Sequence, residues 1–220
     1  MKGLSDKVAA IIDHVSKLEC IKEYVLIGGT AISLQLATRI SEDLDFCKWS
    51  KNKNDKPKVN WPAIEKELSA IGIIQKIDVL DFNQVNFLFN DVKISFYANQ
   101  IYQTPVNNLV QVLNNLYVAD IESLGAMKIE LMLRRSNFRD YYDIYSILKE
   151  GILLKEMINN ARKYSNYRLS EKNILQFISN GNNYIRDKNF IHLNPKYSIN
   201  EKEIEEYIKA VIISEYKKPD

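Results

Sequence analysis

Leu4, Val8, Ile11, Ile12, Val15 and Leu18 recur at helical spacing, which predicts an amphipathic first helix with Lys7, Asp13 and Lys17 on its wet side. Tyr24 to Ile27 is a short apolar run ended by Gly28-Gly29, the pattern of a buried strand entering a turn. Thr30 is placed to cap a second helix, Ala31 to Thr38. Leu44 to Trp49 returns to strand-like alternation, and the polar stretch Lys51 to Asn60 reads as an exposed loop. Trp61-Pro62 opens a helix with apolar face Ile64, Leu68 and Ile71. Ile73 to Phe82 is β-branched and strand-like, and Val85–Phe89 with Val92–Tyr97, joined at Asn90-Asp91, predict a hairpin.

After Pro105 the period changes. Helical spacing runs through Ile121–Arg135, Phe138–Lys149, Leu154–Tyr164, Glu171–Asn180 and Asn200–Tyr216. The expected fold class is therefore α+β: a mixed sheet flanked by helices over residues 1–118, then a C-terminal helical bundle over 119–220. Only 7 glycines and 5 prolines in 220 residues agree with a helix-rich chain and exclude collagen-like or loop-rich disulfide scaffolds. Charged residues at 26% and hydrophobic ones at 46% exclude extended disorder. The net charge of +2 is too small for a nucleic-acid packer, so any such contact must come from a local patch. Cys20 and Cys47 sit in no zinc-type cluster, and two cysteines in this length suit a reduced protein. The N-terminal stretch is charged throughout and no run reaches membrane-span length, so the expected location is the cytoplasm. His14 and His192 have no partners in sequence and read as structural.

The densest chemistry lies in residues 25–46. Gly28-Gly29-Thr30 stands between a strand and a helix, where glycines admit a close ligand and a helix start offers N–H groups to phosphate. A plain capped turn explains the same residues. Asp43-Leu44-Asp45, if extended, puts both carboxylates on one face with Cα atoms about 6.6 Å apart. Such a pair suits Mg²⁺ shared with substrate phosphates; two solvated aspartates are the plainer reading. Arg39 can pair with phosphate or hold Asp43, with Ser41 beside it.

Taken together, Gly28-Gly29-Thr30-Ala31-Ile32 and Arg39-Ile40-Ser41-Glu42-Asp43-Leu44-Asp45-Phe46 resemble the AbiEii/AbiGii group of toxin nucleotidyltransferases, within the DNA polymerase β-like superfamily. A second block is similar to the family in order and spacing: Lys128, Arg135, Arg139-Asp140 and Asp143. The resemblance covers residues 20–148 and implies a Mg²⁺-dependent nucleotidyltransferase that moves a nucleoside monophosphate from an NTP to an acceptor hydroxyl. It further implies a toxin of a toxin–antitoxin pair, an RNA acceptor such as the tRNA 3′ end, and a separate antitoxin partner. On this resemblance Asp43 and Asp45 hold metal, and Gly28, Gly29, Thr30, Arg39 and Ser41 cradle the nucleotide. Lys128 and Arg135, expected on one helix face two turns apart, meet the triphosphate, and Asp140 assists the acceptor as a base. Without the resemblance, Asp140 is a capping carboxylate behind Asn137, and Arg139 with Asp143 a surface ion pair. Superfamily members often add a third carboxylate from a neighbouring strand. Here Ser95 occupies that place by alternation, with Asp91 the nearest substitute. A small-molecule nucleotidyltransferase and a non-catalytic binding module on a decayed fold are the alternatives.

One weaker signal lies in the helical half. Between Lys155 and Lys196, eight basic residues (Lys155, Arg162, Lys163, Arg168, Lys172, Arg186, Lys188, Lys196) face three acidic ones, a local +5 against +2 for the whole chain. Tyr164, Tyr167, Tyr184, Phe190 and Tyr197 are interleaved, which suits either RNA stacking or a helical core.

Overall fold

The structure is a computed structural model that describes residues 1–100, 104–165, 168–185 and 187–216. It divides into two compact units, Met1–Asp120 and Ile121–Asp220.

In the first unit, α1 (Asp6–Ser16) starts behind Ser5, whose hydroxyl accepts from the Val8 N–H at 3.3 Å. The remaining elements are β1 (Val25–Ile27), α2 (Gly28–Leu36), β2 (Leu44–Trp49), α3 (Trp61–Ser69), β3 (Ile74–Asp81), β4 (Gln84–Phe89), β5 (Val92–Asn99), β6 (Leu109–Leu113) and β7 (Leu116–Ala119). They form one seven-stranded sheet in the order β3-β4-β5-β2-β1-β7-β6. β1 pairs antiparallel with β2 and parallel with β7, and β2 pairs parallel with β5, so the sheet is mixed. Along β2, Leu44 and Phe46 are buried while Asp45 is half-exposed, the alternation expected of a strand with one apolar face. Phe96 is the hub of the core on that face. Its ring centroid lies 5.1 Å from Tyr24, 5.2 Å from Phe46 and 5.9 Å from Phe87. Asn90 and Asp91 both adopt positive φ (46° and 61°), as a two-residue hairpin turn requires.

The structure differs from the sequence pattern at two places. The second helix begins at Gly28 rather than Ala31, and its N-cap is Ile27, so Thr30 lies inside the first turn instead of capping it. The hairpin of β6 and β7 was not expected; its exposed Leu109, Val110 and Gln111 hide the alternation that a buried strand displays. β7 carries Val118 in register with Leu26 of β1.

The second unit is helical: α4 (Ile121–Met132), α5 (Phe138–Lys149), α6 (Leu154–Tyr164), α7 (Glu171–Ile178) and α8 (Glu201–Tyr216). Gly125 lets the Met157 side chain press against α4 where a larger residue would clash. α4 stops at Met132, where the Arg134 and Arg135 N–H groups both turn back to the Leu131 carbonyl. Arg135 therefore lies just beyond α4 rather than on it, yet its guanidinium and the Lys128 ammonium meet the same Asp140 oxygen (3.2 and 2.6 Å). Asn137 caps α5, accepting from the Arg139 N–H at 2.9 Å. α5 is buried along most of its length, with Tyr141 stacked on Tyr184 (3.9 Å) and its hydroxyl donating to the Ile178 carbonyl.

Two of the interleaved aromatics, Tyr184 and Phe190, are core residues. Tyr184 and Phe190 are buried, Phe190 edge-on to Phe138 at 4.8 Å, and Tyr197 packs edge-on to Tyr145 at 5.5 Å. Arg162 pairs with Glu171 and Lys196 with Glu150. Stacking on RNA bases by Tyr184 or Phe190 is thus excluded by packing; Tyr167 and Arg186 lie outside the described residues.

Candidate active site

The first-unit site is assembled where β1 ends and α2 begins. Ile27, the last residue of β1, is in register with Asp45 of β2, so the Asp45 side chain stands beside the first helical turn. Gly28 has φ +74°. A Cβ built there would lie 2.9 Å from the Asp45 Oδ2, so the carboxylate occupies room that only glycine leaves open. At Gly29 the same construction meets the Arg39 guanidinium at 2.5 Å and the Ser41 hydroxyl at 3.2 Å. Arg39, Ser41 and Thr30 are all buried, which is unusual for an arginine and marks a built arrangement. Thr30 donates to the Asp43 carbonyl, and its hydroxyl is 2.8 Å from the Ser41 hydroxyl. The 39–43 segment is pinned from outside as well, because Ser41 exchanges backbone bonds with Gly3 and Ser5 (2.9 and 3.0 Å).

Asp43 is exposed just before β2, Leu44 points inward, and Asp45 is half-exposed. The two carboxylates thus flank an inward-facing leucine, with Asp45 set against Gly28. All donors here are oxygen, the set that a hard cation prefers. Among the described residues no three acidic, histidine or cysteine side chains cluster to hold a metal. A cation at this pair would complete its shell from substrate phosphates and water.

Ser95 is in register with Asp45 on the parallel neighbour β5, so it shares the face on which a third carboxylate was sought. It is fully buried, and among the described residues its hydroxyl has no hydrogen-bond partner. Asn86 of β4 continues the row opposite Ser95, and its Oδ1 is likewise buried without a partner among the described residues. Asn86 was not singled out from sequence, although Gln84 and Asn86 alternate with Val85, Phe87 and Phe89 in the text of the strand. Asp91 is no substitute ligand: it lies in the hairpin turn and accepts from Gln75 at 2.9 Å and Lys7 at 3.4 Å.

The second-unit cluster is built on α4 and α5. Lys128 is buried, its ammonium 2.6 Å from Asp140 Oδ1 and 2.8 Å from Asp143 Oδ2. Arg135 reaches Asp140 through Nε (2.9 Å) and Nη2 (3.2 Å) while its side chain stays 54% exposed. Burial opposes the charge on Asp140, but the Lys128 charge and the Arg135 and Lys128 hydrogen bonds outweigh it and hold the carboxyl below the ordinary range. Asp143 pairs with Lys128 rather than forming a surface pair with Arg139, which goes instead to Asp187. No local spacing reveals the Lys128–Asp143 contact, since it joins two helices.

The sequence model of the family described as "Nucleotidyl transferase AbiEii toxin, Type IV TA system" matches residues 11–208. The chain belongs to this family. The match runs from α1 into α8, so both units of this AbiEii-family protein fall within it. An uncharacterized protein of Aquifex aeolicus is 25% identical over 166 residues, 74% of this chain and 76% of that one. As an AbiEii-family chain it is a nucleotidyltransferase of the toxin type. Among its described residues no helix is long and apolar enough to cross a membrane. Both cysteines are free, and burial pushes the Cys20 and Cys47 thiols up to about 12, with Glu67 adding to the shift at Cys20.

The glycine cradle gives a direct test. Gly28→Ala adds a Cβ against Asp45 Oδ2 at a left-handed φ, which costs about 1–2 kcal/mol of stability. The displaced carboxylate is expected to lower transfer far more than that strain lowers the melting temperature. Equal transfer by the variant would contradict this placement of Asp45.

Proposed function

We propose that this AbiEii-family chain is a Mg²⁺-dependent enzyme that transfers a nucleoside monophosphate from an NTP to the hydroxyl of an RNA acceptor, such as the tRNA 3′ end, in the cytoplasm. A separately encoded antitoxin counteracts it. The acceptor hydroxyl gives its proton to water as its oxygen bonds to the α-phosphorus, the bond from that phosphorus to the oxygen bridging to the β-phosphate breaks, and pyrophosphate leaves with the displaced electron pair. The observation that carries this reading is the Asp45 carboxylate seated against Gly28 at the start of α2, with Arg39 and Ser41 closed over Gly29.

Asp43 and Asp45 would hold the magnesium, which when bound polarises phosphate oxygens. Gly28, Gly29 and Thr30 lie in the first turn of a nine-residue helix with no acidic residue there, so its positive end suits a phosphate. Arg39 and Ser41, buried beside that turn, are assigned to orienting the nucleotide. In the second unit, Arg135 supplies an accessible planar cation for triphosphate charge. Lys128 is enclosed between two carboxylates, so we assign it to positioning Asp140 rather than to a phosphate. A carboxylate held low by two cations is a weak base, and Asp140 accordingly serves better to hold Arg135 than to take the acceptor's proton.

The test is calorimetric titration of NTP with and without Mg²⁺, followed by transfer assays on tRNA and on a panel of aminoglycosides. Metal-dependent NTP binding and labelled tRNA are expected. Absence of metal-dependent binding would favour a non-catalytic module, for which Ser95 in place of a carboxylate is the supporting feature. Label on aminoglycosides alone would make the acceptor a small molecule.

A further inference from the structure

The far end of β2 carries a second constellation. A cavity of about 750 Å³ is lined by Lys22, Lys48, Trp49, Lys51, Asn52 and Asn54, with Glu23, Asp55 and Pro57 completing it. Its two acids are engaged within the chain: Glu23 accepts from Lys48 at 3.0 Å, and Asp55 accepts from the Lys51 backbone N–H at 2.8 Å. The adjoining segment from Lys48 to Lys58 holds five lysines against one aspartate, a local +4 in a chain of net +2. Lys51, Lys53, Lys56 and Lys58 are all exposed. Trp49 is half-buried, and its indole N–H is shielded from water yet has no acceptor among the described residues. A shielded donor without a partner is uncommon in a folded chain.

Position gives this cavity its meaning. Trp49 and Asp45 are four residues apart on one strand, so they share a face and lie about 13 Å apart along it. Lysines beside an aromatic ring are the chemistry that holds a phosphate backbone and stacks an unpaired base. An acceptor strand whose terminal hydroxyl reaches Asp43 and Asp45 has phosphates upstream at that kind of distance. We propose that the Trp49 cavity and the Lys51–Lys58 loop form a subsite for the backbone of single-stranded RNA, upstream of the acceptor's reacting end. The assignment rests on the RNA-acceptor reading above and places the basic contact in the first unit, not among the core aromatics of the second.

The experiment measures binding of a short unstructured fluorescein-labelled RNA by anisotropy across a series of salt concentrations, without NTP. The chains are wild type, a Lys51→Glu/Lys53→Glu/Lys56→Glu variant and Asp45→Asn. The triple variant is expected to bind about tenfold or more weakly, with a log–log salt slope shallower by about 2, since three single-strand phosphate contacts are lost. Its melting temperature and its Mg²⁺-dependent NTP binding should match wild type, and Asp45→Asn should bind RNA normally. Trp49 is the remaining indole in a Trp61→Phe chain, so its fluorescence should change on RNA addition. Unchanged affinity and slope in the triple variant, or no RNA binding by wild type, overturns the subsite. So does a charge-reversal effect confined to anionic phosphatidylserine vesicles. Because no NTP is present, loss of transfer in a separate assay would count against the enzyme reading and leave this result standing.

Discussion

Asp45→Asn is expected to lower nucleotidyl transfer by at least about a thousandfold, some 4 kcal/mol of transition-state stabilisation, while the melting temperature stays within a degree or two of wild type. The amide keeps the shape of the side chain beside Gly28 but removes the charge that a divalent cation needs. Asp45 is half-exposed at the first turns of β2, so the apolar face of the strand, Leu44 and Phe46, is untouched. Activity and stability should therefore separate, which a purely structural role for Asp45 does not allow. Parallel losses of melting temperature and transfer would reassign the residue to the fold.

Lys128→Met is expected to be the largest stability change among the site residues, about 3–5 kcal/mol at neutral pH. The ammonium is enclosed between Asp140 and Asp143, both essentially without solvent access, and its loss removes a buried cation from both while Arg135 still reaches Asp140. The pH dependence gives the sign. In wild type the Asp140 carboxyl is held below its ordinary value, so its contribution is present above the unfolded carboxylate pKa of about 3.9 and is lost as pH falls through the folded value. Without Lys128 the Asp140 carboxyl loses one of the two cations that oppose burial, so its folded pKa rises from the wild-type position. The deficit of the variant relative to wild type should then shrink on acidification from pH 7 towards 5. Adding Asp143→Asn to Lys128→Met should recover part of the loss. Chemical denaturation across that pH range reads all three outcomes, and a near-neutral Lys128→Met would show that the buried triad contributes nothing.

Much of this molecule was legible where the signal is local. The alternation from Leu44 to Trp49 placed β2 and set Asp43 and Asp45 outward, and the limits of α5 and α6 coincide with the runs Phe138–Lys149 and Leu154–Tyr164. Asn137 as the cap of α5 follows from its side chain alone. What failed depends on tertiary context. The residues after Met132 include no glycine or proline before Asn137, so nothing in the text announces that α4 ends short of Arg135. The β6–β7 hairpin turns at Asn114, which has positive φ, but its exposed edge strand lacks the apolar run that draws the eye. Aromatics between cations read equally as a nucleic-acid surface or a core, and the stacking of Tyr184 on Tyr141 decides for the core. The pairing of Lys128 with Asp143 requires two helices to meet and has no periodicity of its own.

Isotope position tests the transfer assigned to this AbiEii-family chain most directly. The protein is incubated with tRNA, Mg²⁺ and NTP labelled either at the α- or at the γ-phosphorus, and the RNA and the small products are separated. Nucleotidyl transfer predicts that the α-label enters RNA in step with pyrophosphate release and that the γ-label never does. Label from the γ-position in RNA, or phosphate released in place of pyrophosphate, would contradict the mechanism assigned to Asp43 and Asp45.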